Sequence, residues 1–198
     1  VFPVGITTVT YRATDAALNT FDASFDVIVT DNEKPTITCP ADITTAKTSD
    51  DGTGNCTTTV NIGSPTVSDN CTDVNLLNAI SNAPATFPVG TTVVTWSVTD
   101  EAGNQNTCTQ NITVVDDELP SIVNLPANIN ANNDNGICGA TISWSEPTPA
   151  DNCSGSSIAL LSTSPTTGLS NGAVFPVGIT TVTYRATDAA LNTFDASF

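Results

Sequence analysis

The sequence has no histidine and no methionine among its 198 residues. Without histidine, neither a Ser-His-Asp nor a Cys-His arrangement can form within this stretch. Pairs of carboxylates serve glycosidases, but nothing in the sequence distinguishes one pair from the others. We therefore expect no enzymatic activity and no catalytic residue. A chain that begins at Val1 without an initiator methionine also predicts a natural segment of a longer mature protein.

Basic residues are scarce as well: there are 4 Lys and Arg against 20 Asp and Glu, and the net charge is −16. Such acidity excludes nucleic acid and anionic lipid as partners, because both carry charge of the same sign. No segment approaches the roughly 20 apolar residues that a membrane span needs. The acidic residues are scattered, which leaves two interpretations: they keep the chain soluble, or some of them bind divalent cations.

Aromatic residues make up only 6% of the chain, and the apolar residues are mostly Val, Ile and Ala in short runs rich in Thr. This composition is typical of β-strands, and helical periodicity is absent. Over residues 91–99, Val94, Trp96 and Val98 share one side, which predicts a half-buried strand. We expect Trp96 and its equivalent Tyr184 in the core rather than on a carbohydrate-stacking surface.

The sequence repeats itself. Residues 1–25 recur without a change at residues 174–198, an offset of 173 residues. A weaker copy, residues 87–104, matches residues 2–19 at 11 of 18 positions. Self-similarity at a fixed period indicates an array of similar units. The repeating unit of 173 residues should therefore contain two related modules.

The same alignment gives the module boundaries, since TDNEKP at residues 30–35 corresponds to VDDELP at residues 115–120. Each module of about 85 residues suits a β-sandwich of roughly seven short strands. The last strand of the final module is missing and should resemble DVIVTD, which follows the first copy. We expect three parts: residues 1–30, the end of a preceding module; residues 31–115, module one; and residues 116–198, module two.

The turn before the last strand reads DEAGN at residues 100–104 and DAALN at residues 188–192. Leu191 stands where module one has Gly103, so we predict that this position does not need a positive φ. On the strand that follows the first of these turns, the alternation of side chains predicts that Cys108 and Gln110 point inward.

Disulfides are the predicted use of the cysteines, because none lies in a CxxC pair and no histidine is present to complete a zinc site. Their presence indicates an oxidising compartment, outside the cell or at its surface. Module one holds four of them, which allows three connectivities. The six cysteines are Cys39, Cys56, Cys71, Cys108, Cys138 and Cys153.

A comparison of the two modules predicts how the cysteines pair. The GNC and DNC motifs of module one recur in module two as GIC and DNC, whereas its other two cysteines become Leu125 and Ala196. Two cysteines are thus kept together and two are lost together. By the loop-entropy model such bridges contribute about 3 to 4 kcal/mol each. We predict the pairs Cys56–Cys71, Cys138–Cys153 and Cys39–Cys108.

The order of motifs is more specific than any one of them: CPADI, GNC, PTVSDNC, FPVGTTVVTWSVTDEAGNQNTC and a strand that ends in VVDDELP. Over essentially the whole chain this order resembles the hyalin repeat (HYR), an immunoglobulin-like module of extracellular proteins. Module two departs from the pattern at Leu125, Leu191 and Ala196. The resemblance implies an all-β fold of tandem Ig/fibronectin-III-like β-sandwiches, with a role in adhesion or extracellular matrix. Similar modules are strung in very large surface proteins of bacteria, including gliding Bacteroidota, and in animal matrix proteins.

Acidic residues cluster in the two predicted linkers, and a further one lies in the turn of module one. Calcium takes six to eight oxygen ligands, several of them carboxylates, and could stiffen such a junction. The arrangement loosely resembles the linkers of cadherins. The alternative is a solvated acidic linker that discourages edge pairing. The candidate calcium ligands are Asp31, Asn32, Glu33, Asp100, Asp116, Asp117 and Glu118.

We predict a structural repeat segment of an extracellular filament or stalk, because identical units favour a regular polymer. Its partners would be further copies of the same repeat, within one chain or in a polymer, and two modules in line would span roughly 70–80 Å. The alternative is a cell-surface adhesin whose modules bind surface glycans or proteins, which predicts an exposed aromatic cluster or groove. A third possibility is a spacer attached to a catalytic domain outside this stretch.

Overall fold

A computed structural model describes all of residues 1–198, and the chain is built from short and medium β-strands. One 3₁₀ turn, Thr48–Asp51, interrupts them. The chain contains no helix that is long and apolar enough to cross a lipid bilayer. The strands are β1 Gly5–Thr14, β2 Thr20–Val29, β3 Thr36–Thr38, β4 Ile43–Lys47, β5 Thr57–Thr58, β6 Thr66–Ser68, β7 Ile80–Ser81, β8 Phe87–Pro88, β9 Gly90–Thr99, β10 Gln105–Val115, β11 Ser121–Val123, β12 Gly139–Thr141, β13 Thr148–Ala150, β14 Ser157–Ser164, β15 Val174–Pro176, β16 Thr181–Thr187 and β17 Thr193–Ser197.

The strands form small sheets rather than one large one. The largest has four strands in the order β4-β10-β9-β7, and another has three in the order β14-β16-β17. The remaining strands pair two by two as β1-β2, β3-β6, β5-β8, β11-β13 and β12-β15. Short strands with many turns, paired around apolar cores, form β-sandwich modules in tandem. The predicted all-β fold class is confirmed.

Contacts divide the chain into two compact units. The first comprises Val1–Ile43, Asn61–Pro84 and Val93–Asn111, and the second comprises Thr44–Val60, Ala85–Thr92 and Ile112–Phe198. The second unit therefore contains all of residues 116–198 together with three segments from residues 31–115. The module boundaries drawn from the repeats stay a prediction.

In the first unit, the core follows the alternation of β9. Val94, Trp96 and Val98 are at most 7% exposed, while the two residues between them are half-buried. On β10, Gln110 is fully buried and points to the same core. The period of two therefore predicted the buried face of both strands correctly.

In the second unit, residues 116–198 pack around Phe175, Val182 and Tyr184. The indole of Trp144 meets the ring of Phe175 edge to face at a centroid distance of 5.9 Å, and that of Phe198 at 5.4 Å. A groove of about 640 Å³ opens beside this core at the end of β17. Its apolar lining includes Ile129, Ile142, Trp144, Phe175, Val177, Ile179 and Phe198.

The two identical stretches of 25 residues fold into hairpins with the same register. Thr10 faces Ser24 in the first hairpin, and Thr183 faces Ser197 in the second. Each hairpin also forms the same cross-strand ion pair at 2.7 Å, Arg12 with Asp22 or Arg185 with Asp195. Local sequence alone is thus sufficient to set the register of this hairpin.

The prediction for the turn was wrong: its fourth residue has a positive φ in every copy. The φ angle is 93° at Gly103, 72° at Leu191 and 68° at Leu18. In the last turn the side chain of Asp188 accepts the backbone N–H of Asn192 at 2.7 Å and so closes the turn. A leucine in the left-handed region costs about 1–2 kcal/mol, and this closure offsets the cost.

Candidate metal centres

Three side chains of the second unit converge where β10 leads into the next module. Asp116 follows β10, and Asp151 and Cys153 follow β13. One carboxylate oxygen of each aspartate and the sulfur of Cys153 lie within 4.8 Å of one another. Asp116 is only 4% exposed, which is unusual for an aspartate.

Local turn chemistry positions these groups. One oxygen of Asp151 accepts the backbone N–H of Cys153 at 3.0 Å, an Asx turn within the DNC motif. Asn192, in the turn before β17, donates to Asp188 at 2.8 Å and to the backbone carbonyl of Asp116 at 3.2 Å. Asn152 of the DNC turn also donates to Glu118 of the linker at 2.8 Å, so that the linker, the DNC turn and the last hairpin turn are held together by polar contacts.

The charges of this cluster are not compensated. Burial, followed by the neighbouring charge of Asp151, raises the pKa of Asp116 above its ordinary value. Thr48 donates to one oxygen of Asp116 at 3.2 Å, but Oδ2 is buried without a hydrogen-bond partner, and so is Oδ1 of Asp151. A buried carboxylate oxygen without a partner is costly, and a bound cation would supply the missing partner. Hard oxygen donors of this kind fit Ca²⁺.

The first unit repeats the arrangement with Asp31, Asp69 and Asp100, whose carboxylate oxygens also lie within 4.8 Å of one another. Asp69 accepts the backbone N–H of Cys71 at 2.9 Å, and its Oδ1 is buried without a partner. Burial acts to raise the pKa of Asp100, but the hydrogen bonds from Asn104 and the turn backbone outweigh it, so that this pKa is lowered. In each cluster an aspartate of the linker therefore lies beside the aspartate of a DNC motif, and the DNC aspartate accepts the N–H of the cysteine in its own motif.

Five of the seven predicted calcium ligands divide into two groups. Asp31, Asp100 and Asp116 belong to the clusters, whereas the linker glutamates bind the asparagines of the DNC motifs. Glu33 accepts Asn70 Nδ2 at 2.9 Å, and Glu118 accepts Asn152 Nδ2 at 2.8 Å. These two glutamates hold the linkers to the DNC turns and lie outside the clusters.

Asp117 also lies outside the two clusters. It accepts the hydroxyl of Ser49 at 2.9 Å and pairs with the ammonium of Lys47 at 3.1 Å. The hydrogen bond from Ser49, ahead of the effects of Lys47, lowers the pKa of Asp117. Its role is to fasten the 3₁₀ turn to the linker. Asn32 stays a prediction.

Sequence reasoning missed Asp69 and Asp151, the two aspartates of the DNC motifs. The signal was present, because DNC recurs in both modules at corresponding positions. That motif was interpreted only as a turn ahead of a disulfide. An Asx turn uses one carboxylate oxygen and leaves the other for a ligand.

The disulfides require a correction. The structure contains Cys39–Cys108, but Cys56 is bonded to Cys153, with a Cα–Cα distance of 4.8 Å, instead of to Cys71. Cys71 and Cys138 are free and exposed. The module comparison identified GNC and DNC cysteines as partners by type, but it could not tell a bond within a module from one between successive modules.

The contacts of the segment around Cys56 explain why Cys56 bonds to Cys153 and not to Cys71. The 3₁₀ turn before it contacts the linker: the Thr48 hydroxyl lies within hydrogen-bond distance of carboxylate oxygens of both Asp116 and Glu118. Beside the bridge, Asn152 Nδ2 lies 3.4 Å from the backbone carbonyl of Asn55. These contacts hold the GNC loop of residues 54–56 against the DNC turn of the following module. Because Cys153 is oxidised, it is no thiolate ligand, and any cation would be held by oxygen atoms.

An all-β chain of disulfide-linked sandwich modules with acidic clusters at the start of each module defines a class of extracellular repeat proteins. The chain belongs to the HYR domain family, whose model matches residues 30–114 and 115–198. Modules of this family and fold are typically non-catalytic. The family and the disulfides assign the chain to the cell surface or the extracellular space.

Several longer proteins are similar to this chain. Hyalin of Strongylocentrotus purpuratus is 32% identical over 96% of this chain and 16% of its own length. Hyalin of Lytechinus variegatus is 35% identical over 99% of this chain and 36% of its own length. A rat protein, "Sushi, von Willebrand factor type A, EGF and pentraxin domain-containing protein 1", is 35% identical over 82% of this chain and 4% of its own length. The chain therefore spans about a third or less of these relatives.

Among solved structures, extracellular cadherin domains 1–4 of protocadherin gamma B7 are similar to this chain at 12% identity with a TM-score of 0.45. That match covers 98% of this chain and 56% of the protocadherin chain.

Proposed function

We propose that this chain is a non-catalytic structural segment of an extracellular filament or stalk, built from many copies of the same repeat. The recurrence of residues 1–25 at residues 174–198 carries the proposal. A ligand site needs only the few residues that touch its ligand, whereas identical stretches in successive repeats give equivalent contacts between neighbours, as a regular polymer requires. Further copies of the repeat are the main partners.

The use of the aromatic side chains supports this function over a glycan-binding adhesin. Trp96 donates its indole N–H to Gln110, and Trp144 donates its own to Tyr184. The indole N–H of each tryptophan is therefore occupied within its module: Trp96 is buried, and Trp144 is half-buried at the groove beside β17. An immobilised array of surface glycans tests the alternative: the structural function predicts no saturable binding by this chain.

We further propose that Ca²⁺ binds at the start of each module, held by Asp31, Asp69 and Asp100 in the first unit and by Asp116 and Asp151 in the second. The buried Oδ2 of Asp116, which has no partner, is the observation that supports this site. A cation there would neutralise the aspartates and fix the linker against the DNC turn. The ion would thus stiffen the joint between successive modules.

Thermal unfolding with and without Ca²⁺ tests the second site. At a concentration 100 times Kd, a ligand that binds only the folded state stabilises it by about 2.7 kcal/mol. For a chain of this size that raises Tm by roughly 5–10 °C. Asp116→Asn and Asp151→Asn should each lose most of the rise attributable to this site.

The calcium-free state of Asp116→Asn gives a second readout. Because the pKa of Asp116 is raised above 3.8, its ionised form destabilises the calcium-free fold, and stability falls as pH rises through that raised pKa. Asp116→Asn should remove this fall and also lose the part of the calcium response that belongs to this site. Asp195→Asn, which neutralises an exposed aspartate of the same unit, is the control and should keep the full response. An unchanged calcium response in Asp116→Asn would exclude the site.

A further inference from the structure

We propose that Cys71 and Cys138 are two halves of inter-module disulfides: Cys138 bonds to the cysteine at the Cys71 position of the following repeat. Every junction in the array would then carry a disulfide in addition to the peptide linkage. The inference rests on tandem repetition and goes beyond the proposed filament, because it defines covalent bonds between successive modules.

The bond between Cys56 and Cys153 provides the pairing rule. It joins the GNC cysteine of one module to the DNC cysteine of the next, over 97 residues of sequence. The two free cysteines belong to the same two types, since Cys71 lies in a DNC motif and Cys138 in the GIC motif that corresponds to GNC. One partner of each type is thus left over.

The surroundings of the free cysteines match those of the bonded ones. The N–H of Cys71 is bound by Asp69 at 2.9 Å, as that of Cys153 is bound by Asp151 at 3.0 Å. Asn70 binds a linker glutamate at 2.9 Å, as does Asn152 at 2.8 Å. The DNC turn of module one is therefore built to receive the same bridge.

The loop of Cys138 corresponds to that of Cys56 in the same way. Asp134, four residues before Cys138, accepts the N–H of Thr141 at 2.8 Å. In module one, Asp51 precedes Cys56 and accepts the N–H of Thr59 at 3.1 Å in the same way. Both free thiols are exposed, so each is accessible to a partner outside this chain.

The order of modules supplies that partner. Residues 1–25 are the end of a module of the second type, and module one follows them directly. The identical residues 174–198 should therefore be followed by a module of the first type, which carries a DNC cysteine at the Cys71 position. By the same order, Cys71 follows a module of the second type, which carries a GIC cysteine at the Cys138 position.

The bond forms by thiol–disulfide exchange with a small-molecule disulfide of the extracellular space. The thiolate of one cysteine attacks that disulfide and releases one small thiol. The second cysteine then displaces the other, so that two protein thiols become one protein disulfide while the small disulfide is reduced to two thiols. Two protons pass from the cysteines to the released thiols, and the electrons balance.

Disulfide mapping of the native array, alkylated without reduction, tests the proposal. Cleavage on the amino side of aspartate places each cysteine on its own peptide, because an aspartate separates every neighbouring pair. We expect residues 51–68 linked to 151–187, and residues 134–150 linked to 69–72. Alkylated Cys71 and Cys138, or links of 51–68 to 69–72 and of 134–150 to 151–187, would overturn the proposal.

A variant distinguishes the two connectivities even where peptides are hard to recover. In a chain of two successive repeats, Cys138→Ser should leave the cysteine at the next Cys71 position as the newly alkylated thiol. Bonds within modules predict alkylation of Cys153 instead, and that result would refute a disulfide between modules at every junction. Neither result depends on calcium or on polymer shape, so failure here leaves the proposed filament and its calcium sites to be tested separately.

Discussion

Gln110 is a fully buried amide that connects three parts of the core of the first unit. Its carbonyl accepts the indole N–H of Trp96 at 3.2 Å, and its amide donates to the backbone carbonyls of Ala41 at 2.8 Å and Ile62 at 3.2 Å. A buried polar residue is stable when each of its groups is bonded, and here both the carbonyl and the amide are bonded.

Replacing this amide tests its structural role. Gln110→Leu leaves the N–H of Trp96 and two backbone carbonyls without a partner, so we expect a loss of about 3 kcal/mol in the free energy of unfolding. Gln105→Leu, an exposed position on the same strand, should change it by no more than about 0.5 kcal/mol. Urea denaturation of the two variants gives the comparison, and equal losses would contradict this role.

Tyr184 plays a similar part in the second unit, where its hydroxyl accepts Trp144 Nε1 at 2.8 Å and donates to Glu146. Burial, followed by the hydrogen bond to Glu146, raises the pKa of Tyr184 to about 12 from 10.0. A raised folded-state pKa means that this contribution to stability is complete below pH 10 and disappears as pH rises to about 12.

The matched tyrosine of the first hairpin provides the control. Tyr184→Phe should flatten the fall in stability between pH 10 and about 12, measured by denaturant unfolding at several pH values. Tyr11→Phe makes the same change in an identical local sequence at an exposed position, and should leave the fall as it is. If both variants flatten it equally, the assignment to Tyr184 is incorrect.

At the scale of elements, the two identical hairpins separate what local sequence determines from what it does not. Their register and cross-strand ion pair agree, but Tyr11 is 67% exposed and Tyr184 only 3%. Alternation therefore predicts which side chains share a face, and sequence reasoning identified those faces correctly. Whether a face is buried depends on the other strands of the module, which no local pattern contains.

The groove beside β17 leads to a prediction about a strand that would follow Phe198. On β10, Ile112 and Val114 are 0% and 2% exposed, and the corresponding residues of module two would follow Phe198. Extending the chain by DVIVTD should place two valines in that groove and stabilise the second unit. Burying each valine contributes about 1.5 kcal/mol or more, so the gain should approach 3 kcal/mol before the cost of ordering the strand.

Calorimetry of the extended chain measures this gain as a higher unfolding temperature. An extension of the same length with serine in place of the two inward-facing valines is the control, and should give little or no increase. If the serine extension stabilises the chain as much as the valine extension does, the groove is not the place of the last strand.

At the scale of the whole molecule, sequence comparison predicted the repeats, the fold class and the family. It did not predict all of the cysteine partners, and it missed the aspartates of both DNC motifs. Its limit is physical: Cys56 meets either Cys71 or Cys153 according to which turn the GNC loop contacts. Likewise, Asp69 and Asp151 join the linker aspartates only through folding of the chain. Such relations arise between segments distant in sequence, where spacing carries no information.

The central claim is a regular array of equivalent modules with junctions stiffened by calcium. Electron microscopy of the native material, imaged with and without a calcium chelator, tests it most directly. We expect uniform filaments with an axial repeat of roughly 70–80 Å, as modules in line require, which become limp or irregular in the chelator. Single flexible threads with a distinct tip, unchanged by the chelator, would contradict the claim.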